Sequence, residues 1–238
     1  PTMILAVPRV CEKVYQKICL QVEAQPRWRQ KIFHWGHAIG LAISDLREKK
    51  APIPLLMKWQ YRLAYRLIFS KLQQALGGRV RWMTASGAPT SRDIILFFNA
   101  AGITVVEGYG MTECTGLSFI HMGDDIKLGT VGKPINCIAY QLGPDGELMK
   151  RGPSVFVGYY KNVEATEKTV VDGWLLTGDI AEVDADGHVS IVDRKKDILI
   201  TSGGKNIAPS LLENELKVSP YIKEAIILGD GRKFVSAL

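Results

Sequence analysis

Glycine, proline and aspartate punctuate this chain and divide it into parts with different secondary structure. Up to about residue 78 the apolar residues recur with the helical period, as Val10, Val14, Ile18 and Val22 do. Such a period predicts amphipathic helices whose apolar faces cover a core. The predicted helices of this part are 8–24, 27–43 and 54–75.

The order of elements changes between residues 80 and 110. A strand at 80–84 leads into Ala85-Ser86-Gly87-Ala88-Pro89, a helix follows at 91–101, and a strand at 104–106 runs into a glycine-rich loop. This strand–loop–helix–strand–loop order is typical of open α/β sheets, in which ligands bind beyond the carboxyl ends of the strands.

After about residue 120 short β-like runs replace the helical pattern. Asp184-Ala185-Asp186-Gly187 is a hairpin signal, and we expect a small antiparallel sheet or barrel. One short helix at 163–171, capped by Asn162, interrupts it. A further part begins at the charged run from Arg194, with a helix at 209–217 and a strand at 225–228. The predicted β-runs of the middle part are 137–142, 146–149, 155–159, 179–183 and 188–192.

The composition, with 47% apolar and 23% charged residues, excludes collagen-like, low-complexity and disordered classes. No stretch approaches the roughly 18 consecutive apolar residues of a membrane span. The four cysteines form no CxxC pair and no zinc-site spacing. We therefore expect four buried thiols in a reducing, cytoplasmic compartment.

Positive charge is concentrated in the first third of the chain. Residues 1–81 carry 15 Lys and Arg against 4 Asp and Glu, a charge of +11, and the remainder carries −5. A solvated helical face gives this pattern, and so does a surface for an anionic partner. Residues 25–35 mix basic side chains with tryptophans, as lipid-interface segments do. We expect peripheral membrane contact through the basic residues of 9–81, and no nucleic-acid binding.

The segment Glu107-Gly108-Tyr109-Gly110-Met111-Thr112-Glu113 carries side chains suited to a nucleotide. Tyr109 offers a flat face for a base, Thr112 a hydroxyl for phosphate and Glu113 an oxygen ligand for Mg²⁺. The glycines let a ligand approach the backbone closely. A turn after a buried strand would look similar.

Two later segments add to this pattern. In Trp174-Leu175-Leu176-Thr177-Gly178-Asp179, the aspartate is placed either to accept from ribose hydroxyls or to hold a turn. Asp193-Arg194-Lys195-Lys196-Asp197, followed by Thr201-Ser202-Gly203-Gly204-Lys205-Asn206, would by itself be a solvated surface.

Taken together in this order, these segments resemble the adenylate-forming superfamily of acyl-CoA synthetases, luciferases and peptide-synthetase adenylation domains. Gly87-Ala88-Pro89 matches the loop that precedes its core motifs. Within the superfamily, the segments 8–15 and 152–160 are most similar to a long-chain fatty acyl-CoA synthetase. The resemblance implies an α/β fold: part of a large N-terminal domain and the start of a small α+β C-terminal domain. Its α/β subdomain would span 1–120, its antiparallel β subdomain 121–193, and the hinge and C-terminal part 194–238.

The resemblance also implies an activity, an ATP-dependent fatty acid:CoA ligase that uses Mg²⁺ and forms acyl-AMP before transfer to CoA. It implies that Thr112 and Glu113 are catalytic, with Glu113 holding the metal. Lys196 would be the hinge between the half-reactions, and Gly203 would approach the CoA tunnel. The implied nucleotide and acyl-carboxylate contacts are Gly87, Ala88, Gly108, Tyr109, Gly110, Met111, Thr112, Asp179 and Arg194.

Three departures from the family pattern are visible. We expect its phosphate-embracing loop upstream of Pro1 and its adenylation lysine downstream of Leu238, so the chain reads as a central fragment, inactive alone. Ile135-Asn136 replaces a Pro-Gly turn. Another acid, a carrier-protein acceptor, or a non-catalytic membrane-surface module stay open as alternatives, as does the oligomeric state.

Overall fold

The computed structural model describes residues 1–219 and 221–238. The chain forms two compact units, Pro1–Val106 with Val218–Tyr221, and Glu107–Lys217 with Ile222–Leu238. The mixed α/β class is confirmed. The subdomain boundaries that we place after residues 120 and 193 stay a prediction.

The first unit is mainly helical, and close helix contacts hold it together. Gly40 of α2 lies so near α5 that an added Cβ would be 2.4 Å from the carbonyl oxygen of Ala100. Only glycine permits this approach, and α5 buries Ile94, Ile95, Phe97 and Phe98 beneath it. The helices are α1 (Pro8–Glu23), α2 (Arg27–Glu48), α3 (Leu55–Ala64), a π-helical turn (Tyr65–Phe69), α4 (Ser70–Ala75) and α5 (Arg92–Ala100).

Two strands of the first unit pair in parallel. β1 (Met3–Ala6) lies beside β2 (Trp82–Ser86), with Met3 opposite Trp82. The helix predicted at 54–75 is divided by the π turn, and the strand predicted at 80–84 begins two residues later. β1 itself carries no sequence signal that we recognised, because four residues are too few to establish a period.

The second unit is built from antiparallel strands. β3 (Thr104–Met111) begins in the first unit and ends here, where it pairs with β4. A second sheet has the strand order β10-β9-β7-β6, with β8 paired to β9. The other strands and helices are β4 (Gly116–Ile120), β5 (Lys133–Pro134), β6 (Ala139–Leu142), β7 (Glu147–Arg151), α6 (Val163–Thr169), β8 (Val170–Val171), β9 (Trp174–Val183), β10 (Val189–Arg194), β11 (Leu199–Ile200), β12 (Asn206–Ile207), α7 (Pro209–Leu216), β13 (Ile227–Leu228) and β14 (Ser236–Ala237).

Buried apolar side chains from several of these strands pack together. Phe119, Leu148, Ala181 and Val189 form one core cluster of the second unit. The Asp184–Gly187 turn joins β9 to β10, and the Asn162 side chain accepts from the backbone N–H of Ala165, as expected of a cap. The strand predicted at 155–159 is wrong, because this segment is irregular.

The four cysteines are free, but only two are buried. Cys11 and Cys114 are buried, Cys19 is half-buried and Cys137 is exposed, so the expectation of four buried thiols is wrong. Burial raises the pKa of the Cys11 thiol to about 11. Among the described residues, no helix combines the length and apolar character that crossing a bilayer requires.

Candidate functional site

The glycine-rich segment is the end of a strand rather than a loop. β3 continues through Met111, and a 3₁₀ turn follows at Thr112–Cys114. The strand persists because Gly110 packs against β4: an added Cβ would be 1.9 Å from the carbonyl oxygen of Gly116. The loop predicted at this position is therefore wrong, although the segment still ends at the carboxyl end of a strand.

Three predicted site residues meet where β3 of one sheet approaches β9 and β10 of another. The Tyr109 hydroxyl donates to Asp179 Oδ2, and Arg194 Nε lies 3.0 Å from Asp179 Oδ1. Antiparallel pairing of β9 and β10 places Arg194 directly opposite Asp179. Asp179 is 5% exposed, whereas Arg194 reaches solvent. Burial and the neighbouring carboxylate raise the pKa of Tyr109 far above its usual range.

This arrangement leaves acceptor capacity on a buried carboxylate. A carboxylate offers about four lone-pair sites, and Tyr109 and Arg194 each use one. Asp179 can therefore accept further hydroxyl donors. The half-buried ring of Tyr109 lies beside it. The cluster fits a ribose with an adjoining base.

Glu113 has a partner that the sequence did not indicate. The Tyr159 hydroxyl donates to Glu113 Oε1 at 2.8 Å, and Phe156 N–H donates to the Glu113 carbonyl at 2.8 Å. The hydrogen bond to Glu113 raises the pKa of Tyr159. The carboxylate is thus oriented through one oxygen, and its other oxygen suits a hard cation such as Mg²⁺. Thr112, beside it, is exposed.

Lys195, which the sequence shows only as part of a charged run, is linked through Glu147 to the part of β9 that carries Asp179. Lys195 Nζ lies 2.5 Å from Asp145 Oδ2 and 2.9 Å from Glu147 Oε2. Glu147 Oε1 in turn accepts from the N–H of Gly178 at 2.9 Å. The Lys195 ammonium holds the pKa of Asp145 below its usual range. β7 and the residue before Asp179 are therefore joined.

Asp193 connects β10 to the last helix of the chain. It is 5% exposed and accepts from Ser210 Oγ at 2.9 Å and from Ser210 N–H at 3.1 Å. Ser210 lies in the first turn of α7. The Asp193–Ser210 hydrogen bonds therefore connect the two ends of the segment 194–209, which contains Lys196.

The structure shows no side-chain contact of the other predicted site residues with this cluster, among the residues that it describes. Gly87 and Ala88 follow β2 in the first unit. Gly108, Gly110 and Met111 lie on β3. Lys196 is exposed in the turn after β10, and Gly203 is exposed in the loop between β11 and β12. The roles implied for all of these residues stay predictions.

Two family models match the chain. One, described as AMP-binding enzyme, matches residues 1–160, and one described as AMP-binding enzyme C-terminal domain matches residues 196–238.

Curated relatives match over the entire chain. Long-chain-fatty-acid–CoA ligase FadD15 of Mycobacterium bovis is 40% identical over 238 residues, which cover all of this chain and 39% of that protein. Long-chain-fatty-acid–CoA ligase ACSBG2 of Rattus norvegicus is 35% identical over 247 residues, covering all of this chain and 36% of the relative. The chain therefore spans less than half the length of these relatives.

Solved structures agree in fold. The A domain of a carboxylic acid reductase from Segniliparus rugosus, in complex with AMP and a co-purified carboxylic acid, is 26% identical with a TM-score of 0.66. The match covers all of this chain and 34% of that structure. O-succinylbenzoate coenzyme A synthetase from Bacillus subtilis, in complex with ATP and magnesium ion, is 28% identical with a TM-score of 0.61. Here the match covers 71% of this chain and 39% of that structure.

Proposed function

The chain belongs to the family of AMP-binding enzymes, and on that premise we propose that the protein carrying it is an ATP-dependent fatty acid:CoA ligase. The observation that carries the proposal is the Tyr109–Asp179–Arg194 cluster, in which three residues distant in sequence meet around one buried carboxylate. Asp179 is buried beside two donors and keeps free acceptor sites on its carboxylate, as a group that receives ligand hydroxyls requires.

In this proposal, the cluster holds the nucleoside of ATP. Tyr109 stacks on adenine, and Asp179 and Arg194 bind the ribose hydroxyls. Gly108, Gly110 and Met111 supply backbone near the base. Thr112 contacts phosphate.

Glu113 would hold Mg²⁺ on the phosphates. Its carboxylate is oriented by Tyr159 through one oxygen only, which suits a single-oxygen ligand of this cation. Mg²⁺ when bound neutralises charge on the triphosphate. The fatty carboxylate attacks the α-phosphorus, pyrophosphate leaves and acyl-AMP forms. The CoA thiol then attacks the acyl carbon and AMP leaves. Lys196 would be the hinge between these half-reactions, and Gly203 would face the CoA tunnel.

ATP–pyrophosphate exchange tests the proposal. The protein, expressed from its complete reading frame, is supplied with acids from acetate to oleate. Exchange with long-chain acids, followed by acyl-CoA formation when CoA is added, supports the ligase. Exchange only with short or aromatic acids would change the substrate class. Thioester formation on a phosphopantetheinylated carrier protein but not on CoA would change the acceptor. Absence of exchange with every acid contradicts the proposal.

We also propose that the protein is cytoplasmic and binds an anionic phospholipid surface through the basic residues of 9–81, most directly through α3 and the turn after it. Residues 49–92 contain nine Lys and Arg and no Asp or Glu. Leu55, Trp59 and Leu63 are 76%, 68% and 52% exposed, on the helix side that also presents Arg62 and Arg66. Apolar and cationic side chains together, without acids, complement an anionic bilayer interface.

Vesicle sedimentation tests this surface at low and high salt. Trp59→Ser with Leu63→Ser should weaken binding to phosphatidylcholine–phosphatidylglycerol vesicles at both salt concentrations. Arg62→Glu with Arg66→Glu should remove the salt-dependent part. The same charge change on α2, Arg27→Glu with Arg29→Glu, should have a smaller effect. Unchanged binding in the α3 variants, or loss of self-association instead of vesicle binding, contradicts the proposal. Vesicle binding without nucleotide affinity in the complete protein would instead favour a non-catalytic membrane module.

A further inference from the structure

A completely buried lysine lies beneath the nucleotide cluster. Lys150 is the fourth of the five residues of β7, opposite Tyr140 on β6 and Leu175 on β9, and is 0% exposed. Lysine is almost never fully buried without a partner of opposite charge. Among the described residues, no carboxylate is within ion-pair distance of its ammonium. With a valine or leucine at position 150, the folded protein would be at least as stable as it is with this lysine.

The contacts of Lys150 lead to one residue of the proposed site. Its Nζ lies 4.6 Å from the centre of the Tyr109 ring, within the range of a cation–π contact. It also donates to the buried Ser118 Oγ at 3.3 Å. Burial lowers the pKa of the Lys150 amine, while the nearby Cys114, Asp179 and Glu113 act in the opposite direction.

Lys150 therefore contacts the ring of Tyr109, whereas Asp179 accepts a hydrogen bond from the hydroxyl of Tyr109. Phe119 packs against the same ring, with 6.0 Å between centroids. A tyrosine held at its ring and at its hydroxyl has little freedom to rotate. Such fixation lowers the entropy lost when a base stacks on the ring.

We propose that Lys150 is a positioning residue for ATP binding, which fixes the ring of Tyr109 from inside the β unit. The proposal rests on the nucleotide role proposed for Tyr109. In this proposal Lys150 increases the affinity for ATP but decreases the stability of the fold. Its charge has no partner of opposite sign among the residues that the structure describes and is therefore costly to bury.

Replacement by methionine separates the two contributions, since methionine keeps the length of the side chain without the charge. In Lys150→Met we expect the KM for ATP to rise about tenfold with kcat nearly unchanged. The urea midpoint should stay the same or increase. A purely structural role would lower the urea midpoint and the ATP affinity together. Lys168→Met, an exposed lysine on α6, is the matched control and should change neither quantity.

A double-mutant cycle with Tyr109→Leu tests whether Lys150 acts through the ring. In the Tyr109→Leu background, Lys150→Met should have no further effect on the Kd for ATP. An unchanged KM in Lys150→Met, or an equal loss in both backgrounds, overturns the inference and leaves the proposed function intact. Absence of ATP binding by the wild-type protein overturns both, and is recognised before any variant is made.

Discussion

Asp179 is the residue on which the geometry of the proposed site depends most. It is 5% exposed and receives the Tyr109 hydroxyl and the Arg194 guanidinium on different oxygens. Both donors are fixed by the strands that carry them. Any ribose bound here would meet an oriented acceptor rather than a mobile side chain, which reduces the entropy lost on binding.

The Mg²⁺ role proposed for Glu113 can be tested by single substitutions at Glu113 and Tyr159. Glu113→Gln keeps an acceptor for the Tyr159 hydroxyl but loses the charge that a cation requires. We expect Mg²⁺-dependent exchange to fall on the order of 100-fold. Tyr159→Phe should cost less, since the carboxylate remains. Tyr160→Phe, on the exposed neighbour, is the control. Equal activities of Glu113→Gln and the wild type would contradict the metal role.

Tyr109 and Asp179 were proposed from their own motifs, and Arg194 from the family resemblance, because these signals are local in sequence. Sequence reasoning did not find Tyr159, Lys195 or Lys150 as parts of the site. Their partners are distant in sequence and are brought to them by the tertiary fold: Tyr159 meets Glu113 across 46 positions, and Lys195 meets Glu147 across 48. Periodicity within one segment contains no information about such pairings.

Among secondary-structure elements, helices with a clear apolar period were predicted well and short strands poorly. α1, α5 and α7 lie within about two residues of their predicted bounds. The error at 155–159 has a specific reason. The backbone of Phe156 bonds to the Glu113 carbonyl instead of joining a ladder, and Gly158, at φ +148°, interrupts the extended run.

The hairpin between β9 and β10 should show a defined acid dependence. Lys127 Nζ lies 2.6 Å from Asp184 and lowers the pKa of that carboxyl to about 2. The lowered pKa means that this pair contributes stability above about pH 4 and loses it as the pH falls through 2. Asp184→Asn should therefore lower the urea midpoint at pH 7, with a difference from wild type that shrinks toward pH 2. A difference that is constant over this range would contradict the assignment.

The contact between β10 and α7 can be tested by removing one hydroxyl. Ser210→Ala deletes a hydrogen bond to the buried Asp193 carboxylate and should reduce the free energy of unfolding by about 2 kcal/mol. Ser190→Ala, which removes an exposed hydroxyl bonded to a backbone carbonyl, should change it by less than about 0.5 kcal/mol. Urea unfolding measures both, and equal losses would show that Asp193 does not hold the helix.

Across the whole molecule, charge follows the two compact units. The first unit carries 16 Lys and Arg against 5 Asp and Glu, and the second carries 14 against 19. The proposed nucleotide cluster lies in the acidic unit, where a polyphosphate would be repelled unless a cation neutralises it. The charge asymmetry was readable from sequence, but its coincidence with the units required the structure.

Removal of the cation should therefore affect ATP more than AMP. With EDTA present, we expect the Kd for ATP to rise at least about tenfold, while that for AMP changes little, because AMP carries fewer phosphates. Calorimetric titration of both nucleotides, with and without Mg²⁺, measures this. An equal change for ATP and AMP would contradict a metal acting on the β- and γ-phosphates.

The central claim is that Tyr109, Asp179 and Arg194 form the nucleoside half of an acyl-adenylate site. Its most direct test is calorimetric titration of the protein with a non-hydrolysable palmitoyl-sulfamoyl adenosine. We predict saturable one-to-one binding by the wild type, a loss of about 100-fold in Asp179→Ala, and no change in Lys168→Met. Absence of binding by a folded wild-type protein, or equal affinity in Asp179→Ala, would contradict the claim.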